Sequence, residues 1–294
     1  MKKILLFLSF ILILAYGCSD NGRTIKDKPI LLDLFYGMEF DEENGVYVDS
    51  VLDTIPGLKH FEFEKKWYYT GGDDYNISWQ SYLGLYIDSI IPHNIWQNLQ
   101  PIINEDLVEL ISYDEAFDSI CENEIAKMVQ TPMEYAKKWD DLMNKFTEIM
   151  RPVLPDTAYK EIIPFRVCGV IHKVFEDNCW VTYLVEFSVD NHGGCGCPSY
   201  ADYITFSKND GHRLTEKELF KLYDKSHLSD ALIKEFNKEK EQKGYAPTGD
   251  NTLMDEMSGF ALVNDGVLIY FKPYVAGCRT EGQYNIIINE NELR

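Results

Sequence analysis

The sequence predicts an α+β fold, in which mainly antiparallel sheets pack against helices. Strand-like and helix-like segments occur in clusters rather than in strict alternation, which argues against a parallel α/β sheet. Turn signals such as Asn264-Asp265-Gly266 separate neighbouring apolar runs, as they do in hairpins. The 294 residues are 45% hydrophobic and 14% aromatic, which suffices for one large domain or two small ones.

The first half of the chain predicts a hairpin followed by helices. Two aromatic-rich runs, residues 58–70 and 75–88, flank a Gly-Gly-Asp-Asp turn and are typical of a β-hairpin or meander. Apolar side chains then recur at helical spacing over residues 94–150, where Pro101 and Pro132 are expected to interrupt the helix. Thr131 before Pro132 predicts an N-cap with proline at the first helical position.

The second half predicts two groups of strands around a helix. A capping box from Thr215 to Glu218 opens this helix, which is expected to continue in pieces to Lys240. The strands are expected at residues 162–175, 180–189, 200–207, 259–263, 268–272 and 284–288.

The N-terminus has the layout of a secretory signal peptide. Lys2 and Lys3 precede an apolar run over residues 4–14, and Gly17 and Cys18 follow it. The alternative of a transmembrane anchor is disfavoured, because a span needs about 20 apolar residues. We therefore expect residues 1–17 to be a signal peptide.

Gly17-Cys18 resembles the lipobox of bacterial lipoproteins, although Ala15 stands where leucine is usual. The resemblance implies that Cys18 is lipidated (diacylglyceryl and palmitate-type chains) and becomes the first mature residue. Plain secretion is the alternative. Ser19 after the cysteine implies sorting to the outer membrane, with the periplasmic or surface face left open. Residues 18–29 are expected to form a flexible tether, and residues 30–57 a segment of uncertain structure.

The charge of the chain limits its partners. Removing residues 1–17 removes two lysines and no acids, so the formal charge changes from -20 to -22. Such a surface repels nucleic acid and anionic lipid, which bind through Lys and Arg. It would attract a cationic partner, although solubility alone also accounts for it.

Six cysteines remain after Cys18, and an oxidising compartment would permit up to three disulfides among them. The common signatures of serine hydrolases, zinc proteases and nucleotide-binding loops are missing from the sequence. The sequence therefore indicates no catalytic residue, no metal ligand set and no cofactor.

Two stretches of the sequence resemble one known family. They are Asn191-His192-Gly193-Gly194 with the following strand and Asp-Gly-His-Arg-Leu-Thr segment, and residues 260–274 with the strand after Gly282. These stretches are similar to the extracellular domain of RsiV, an anti-sigma factor that senses lysozyme. The same domain accompanies the catalytic domain of PdaC-type peptidoglycan deacetylases. The resemblance would cover residues 58–294, with two sub-domains over about 58–207 and 208–294 as one option.

The resemblance also implies site residues. His192, Gly193, Gly194 and Tyr274 would face a ligand. This chain departs from the family at Cys195 and Cys197, where alanine-histidine-proline is usual, and at Cys278. Because the family places these loops near each other, a disulfide from Cys195 or Cys197 to Cys278 is favoured over thiols, a metal site or a nucleophile.

These observations lead to an expected function. The resemblance and the missing catalytic signatures indicate a lipid-anchored, non-enzymatic envelope protein that binds a protein or a cell-wall ligand. The ligand could be peptidoglycan or a basic protein similar to lysozyme. A structural or assembly lipoprotein and an envelope glycan hydrolase are the alternatives. The hydrolase would need two carboxylates with perturbed pKa values in one pocket.

Overall fold

The computed structural model describes residues 39–41, 46–48, 55, 57–71, 75–88, 90–111, 129–150, 163–190, 199–247, 252–272, 275–276 and 283–293. The strands in these ranges are β1 (Glu39–Asp41), β2 (Val46–Val48), β3 (Leu58–Gly71), β4 (Tyr75–Asp88), β5 (Ile163–Glu176), β6 (Trp180–Asp190), β7 (Ser199–Ser207), β8 (Gly259–Val263), β9 (Gly266–Phe271) and β10 (Tyr284–Asn289). The helices are α1 (His93–Ile111), α2 (Pro132–Met150), α3 (Glu216–Leu222), α4 (Lys225–Gln242) and α5 (Leu253–Glu256).

The strands form a large and a small sheet, besides the short β1–β2 pair. The large sheet has the order β3-β4-β5-β6-β7, and the small sheet has the order β10-β9-β8. All neighbours are antiparallel except β4 and β5, which are parallel. Parallel neighbours need a long crossover, and here α1 and α2 lie within it. The predicted α+β class with mainly antiparallel sheets is confirmed.

Local signals define several of the element ends. Thr131 Oγ1 accepts a hydrogen bond from Glu134 N at 3.2 Å at the start of α2. Thr215 and Glu218 form the predicted capping box at the start of α3. The helix then breaks before Asp224, whose carboxylate accepts from two backbone N–H groups at the start of α4. The predicted helix in pieces is therefore confirmed.

One expected interruption is wrong. Pro101 lies inside α1, which continues through it to Ile111. A proline inside a helix leaves the carbonyl four residues earlier without its partner. Both Pro101 and Gln97, the residue that carries this carbonyl, are exposed, so water can take the place of the missing donor. None of the helices in the described part of the chain combines the length and hydropathy that a membrane span needs.

The outer face of the large sheet packs against α1 and α2. Alternate side chains of β4, β5, β6 and β7 point to this face, as the two-residue period of a strand requires. Trp96 and Trp139 are each only 1% exposed and cover the sheet from the two helices. The core at this face comprises Leu83, Leu85, Ile87, Ile91, Ile95, Trp96, Leu99, Ile103, Tyr135, Ala136, Trp139, Leu142, Val167, Ile171, Val181, Tyr183, Val185, Phe187, Ile204 and Phe206.

The inner face of the large sheet packs against the small sheet. Tyr86, Val170, Leu184 and Tyr203 from the large sheet share one core with Ala261, Val263, Leu268 and Tyr270 from the small sheet. The opposite face of the small sheet is covered by α3, α4 and α5. The molecule therefore has four layers, with the two sheets in the middle and helices on both outsides.

Candidate functional site

The inner face of the large sheet carries two buried carboxyl groups, Asp88 and Glu186, and two half-buried histidines, His60 and His172. The register places His60, Tyr86, Val170, Glu186 and Ala201 side by side across the five strands. One row further along the strands, Leu58 pairs with Asp88, and Leu184 lies between His172 and Tyr203.

Glu186 is the most perturbed carboxyl group of this face. It is 7% exposed, and burial raises its pKa from 4.5 to about 9. Among the described residues its carboxyl group has no hydrogen-bond or ion-pair partner. A buried charge without a partner is costly, so the acid keeps its proton instead. Glu186 is therefore a neutral carboxylic acid at pH 7.

His172 and Asp88 are neighbours on this face. Burial lowers the pKa of His172, while the negative charge of Asp88 acts in the opposite direction. Asp88 is 5% exposed, and its Oδ1 accepts a hydrogen bond from Ile90 N at 2.9 Å. Because the effect of burial is the larger one, His172 is neutral at pH 7.

His60 lies at the β3 end of the same face. Its ring stacks on Tyr86 with the ring centroids 4.2 Å apart and the planes 6° from parallel. Within the described part of the chain, His60 Nε2 and His172 Nδ1 are buried without a hydrogen-bond partner. The inner face thus holds polar atoms that the described structure leaves unsatisfied.

A ring of hydrogen bonds joins the two sheets beside this cluster. Leu262 N donates to Thr205 Oγ1 at 2.9 Å, and Thr182 Oγ1 donates to Leu262 O at 2.7 Å. The two hydroxyl oxygens are 2.7 Å apart. Because the hydroxyl group of Thr182 donates its proton to Leu262 O, the hydroxyl group of Thr205 must donate to Thr182 Oγ1. The ring satisfies the backbone of β8 at the edge of the small sheet.

The ends of the two sheets meet where two connections leave them. Gln283 Nε2, just before β10, donates to Ala201 O near the start of β7 at 2.9 Å. Lys272 Nζ, just after β9, lies 3.4 Å from Asp202 Oδ2. The β6–β7 connection, residues 191–198, and the β9–β10 connection, residues 272–283, therefore begin and end beside each other.

The site residues expected from the sequence lie outside the described residues. This holds for Cys18 and for the two connections, which contain His192, Gly193, Gly194, Cys195, Cys197, Tyr274 and Cys278. Cys179 lies half-buried in the β5–β6 turn.

Sequence reasoning missed the environment of His212. Its Nδ1 lies 2.6 Å from Asp210 Oδ1, and its Nε2 lies 2.9 Å from Glu218 Oε1. These two carboxylates raise the pKa of His212. The cluster closes the turn between β7 and α3. In the sequence, the only indication of this cluster was a capping glutamate close to a histidine.

Glu186 and Asp88 are the buried carboxyl groups of the inner face. They are two strands and one row apart, which separates their Cα atoms by about 12 Å. In addition, the described residues bring no three His, Cys, Asp or Glu side chains together as metal ligands.

The chain is similar to two solved structures. A DUF3298 family member from Bacteroides fragilis has a TM-score of 0.40 and 14% sequence identity, with 80% of this chain and 91% of that chain covered. A DUF3298 family protein from Pseudomonas aeruginosa has a TM-score of 0.42 and 10% identity, with 82% and 94% covered. No protein-family model and no curated protein matches the chain. The structural neighbours are thus members of a domain family of unknown function.

Proposed function

We propose that this chain is a lipid-anchored envelope protein whose RsiV-like domain binds a protein or cell-wall ligand without catalysing a reaction. Cys18 carries the anchor, and the outer membrane is the proposed location. The ligand binds at a rim formed by the β6–β7 and β9–β10 connections, through His192, Gly193, Gly194 and Tyr274.

The observation that carries this proposal is the adjacency of the roots of the two connections. Gln283 and Ala201 are joined by a hydrogen bond, and Lys272 and Asp202 by an ion pair. Two connections that start from neighbouring strand ends can contact one ligand together. This adjacency also supports a disulfide from Cys278 to Cys195 or Cys197. Peptide mapping without reduction tests the bridge, and finding all three as thiols in the exported protein would exclude it.

The charge of the domain favours a basic ligand. The mature chain carries a formal charge of -22, because residues 1–17 remove two lysines from a total of -20. Opposite charge speeds encounter and selects partners, and its effect weakens as salt screens it. A basic protein similar to lysozyme is the proposed protein ligand, and peptidoglycan is the proposed cell-wall ligand.

The anchor has a direct test. Radioactive palmitate should label the wild-type chain in an exporting bacterium and should not label the Cys18→Ser variant. Labelling of the variant would exclude Cys18 as the lipidated residue.

The binding proposal is tested with the soluble domain, residues 19–294, immobilised and offered envelope extract, purified peptidoglycan and lysozyme. We expect retention of one of them, and for a basic protein the retention should fall as salt rises from about 50 to 300 mM. A folded domain that retains none of the three would support the structural or assembly alternative instead.

A pair of matched variants separates a local site from general charge attraction. Tyr274→Ala changes the proposed rim, whereas Glu216→Gln removes one exposed charge after the far end of β7. The nine residues of β7 span about 27 Å, so Glu216 is distant from the rim. Tyr274→Ala should weaken binding at least tenfold and Glu216→Gln by less than twofold. Equal effects would argue for charge attraction without a site.

A further inference from the structure

The two edges of the small sheet differ in how their backbone groups are satisfied. In the order β10-β9-β8, these edges belong to β8 and β10. At the β8 edge, the outward N–H and carbonyl groups of Leu262 bond to Thr205 and Thr182. At the β10 edge, no strand within the described ranges pairs with β10 on the side away from β9. Such an edge is a template on which a further strand can pair.

The hydrogen-bond pattern of the small sheet determines which groups of β10 point outward. Glu290 N donates to Asp265 O at 2.9 Å, one step beyond the last register pair of β10 with β9. Positions along an antiparallel pair alternate between those that bond to the neighbouring strand and those that do not. The N–H and carbonyl groups of Asn285, Ile287 and Asn289 are therefore directed away from β9. All three residues are half-buried or exposed, so solvent reaches this edge.

The strand β10 lacks the features that usually protect an open edge. Its sequence, Tyr-Asn-Ile-Ile-Ile-Asn, contains no lysine and no proline. Its register with β9 is continuous, so no bulge bends the edge away from an incoming strand. Ile287 packs only in part against the core between the two sheets. The edge of β10 is therefore suited to accept another strand.

The sequence of β10 is symmetric about Ile287. The segment Asn285-Ile286-Ile287-Ile288-Asn289 is the same in both directions. In an antiparallel pair of two β10 strands with a twofold axis at Ile287, Asn285 of each copy lies opposite Asn289 of the other. The residues with outward backbone groups then lie opposite one another, and each such pair exchanges two hydrogen bonds. A twofold interface requires a surface that is complementary to itself, and this segment has that property.

The charges at the ends of this register are also complementary. Glu290 of one copy lies opposite Tyr284 of the other, because both are three residues from Ile287. Lys243 Nζ lies 4.3 Å from the centroid of the Tyr284 ring. The register thus brings a carboxylate of each copy towards a lysine of the other, which offsets part of the repulsion between two chains of formal charge -20.

We propose that the protein forms a twofold-symmetric homodimer in which the β10 strands of two copies pair antiparallel about Ile287. The two three-stranded small sheets then form one sheet of six strands. A second copy fits this edge better than an unrelated extended peptide, because only a twofold pairing makes use of the symmetric sequence. The inference is separate from the proposed function, since it requires neither the anchor nor the ligand.

The first test measures residue-resolved amide hydrogen exchange by NMR in the wild-type soluble domain, residues 19–294. The protein concentration is raised from about 20 µM to about 1 mM in about 0.15 M salt, which screens the repulsion between the acidic chains. Exchange at Asn285, Ile287 and Asn289 should slow as the concentration rises, because these amides bond only in the dimer. The amides of Ile286 and Ile288 bond to β9 and should be protected at every concentration.

Sedimentation over the same concentrations should show the mass double as protection appears. A monomer at every concentration would overturn the proposal. A dimer in which the amides of Ile287 and Asn289 stay unprotected would place the interface elsewhere and would overturn the proposal as well.

The second test uses charged side chains at the twofold axis. Ile287→Lys and Ile287→Glu each place two like charges opposite one another, and each should raise the Kd of the dimer by about fivefold or more. An equimolar mixture of the two variants should form a heterodimer about as tight as the wild-type dimer. Ile287→Val keeps the shape and the charge and should change the Kd by less than about twofold.

Circular dichroism confirms that each variant is folded before its Kd is compared. A mixture that associates no more tightly than either charged variant alone would show that Ile287 does not face its own copy, and would overturn the register. The exchange test uses the wild-type sequence, so it decides the proposal even if a charged variant does not fold.

Discussion

The two faces of the large sheet are built from different kinds of residue. The outer face, against α1 and α2, is lined by apolar side chains such as Leu85 and Phe187, which are 0% and 1% exposed. The inner face, against the small sheet, buries Thr182, Thr205 and Glu186 among its apolar residues. A helix pair satisfies its own backbone hydrogen bonds and needs only apolar contacts from the sheet.

The inner face meets a different requirement. The small sheet presents the edge of β8, where Leu262 has an N–H group and a carbonyl group that β9 does not use, and two threonines satisfy both. Glu186 and His172, by contrast, satisfy no backbone hydrogen-bonding group of the described residues. The outer face therefore stabilises the fold, whereas part of the inner face is polar for another reason, which we propose to be binding.

The largest expected effect is on the outer face. Phe187→Ala should lower the free energy of unfolding by about 3–5 kcal/mol, because the ring is buried and fills the space above Gly169, where a Cβ atom would collide with it. Urea unfolding followed by circular dichroism measures this. Met133→Ala, at a side chain that is 59% exposed, is the control and should change the value by less than about 0.5 kcal/mol. Equal effects of the two substitutions on the free energy of unfolding would contradict a stabilising role for the outer face.

The second prediction concerns the pH dependence of the inner face. Burial raises the pKa of Glu186 from 4.5 to about 9, so its contribution to stability is fully present below pH 4.5 and is lost as pH rises to about 9. Glu186→Gln removes this loss, and at pH 8 it should stabilise the protein by roughly 4 kcal/mol relative to its effect at pH 4.5. Urea unfolding at both pH values measures the difference. No change between them would mean that Glu186 is ionised in the folded protein.

The third prediction concerns the hydrogen-bond ring. Thr205→Val should destabilise the protein by about 1–3 kcal/mol, because Leu262 N–H loses its acceptor in the core. Thr205→Ser keeps the hydroxyl group and should recover most of that loss. Thermal unfolding of both variants at pH 7 is the measurement. If serine were no better than valine, packing rather than the hydrogen bond would hold this contact.

The smallest effect is expected at a turn that belongs to neither face. Asp210 and Glu218 raise the pKa of His212, so its contribution is present below pH 6.5 and is lost as pH rises through the raised value. The His212 side chain is 42% exposed, and solvent screening limits the effect of His212→Gln to less than about 1 kcal/mol. Unfolding at pH 5.5 and 8.5 should show a destabilisation at the lower pH only. An equal loss at both values would exclude the ionic contribution.

Local features of the fold were predictable from the sequence. The capping box at Thr215, the N-cap at Thr131 and the Asn264-Asp265 turn depend on residues within a few positions of one another. The parallel pairing of β4 with β5 was not predicted, because it joins strands on either side of two helices. The burial of Glu186 was not predictable either, because β6 packs against the distant strand β8 and an alternating strand pattern is compatible with either face.

The most direct test of the central claim is amide hydrogen exchange of the soluble domain with and without lysozyme, or with peptidoglycan fragments if those are what the domain retains. We expect protection in residues 184–203 and 268–287, which contain the inner-face strand ends and both connections. Residues 93–111 and 132–150, the helices on the outer face, should exchange at unchanged rates. Protection confined to those helices would place binding on the outer face and contradict the division of roles between the two faces.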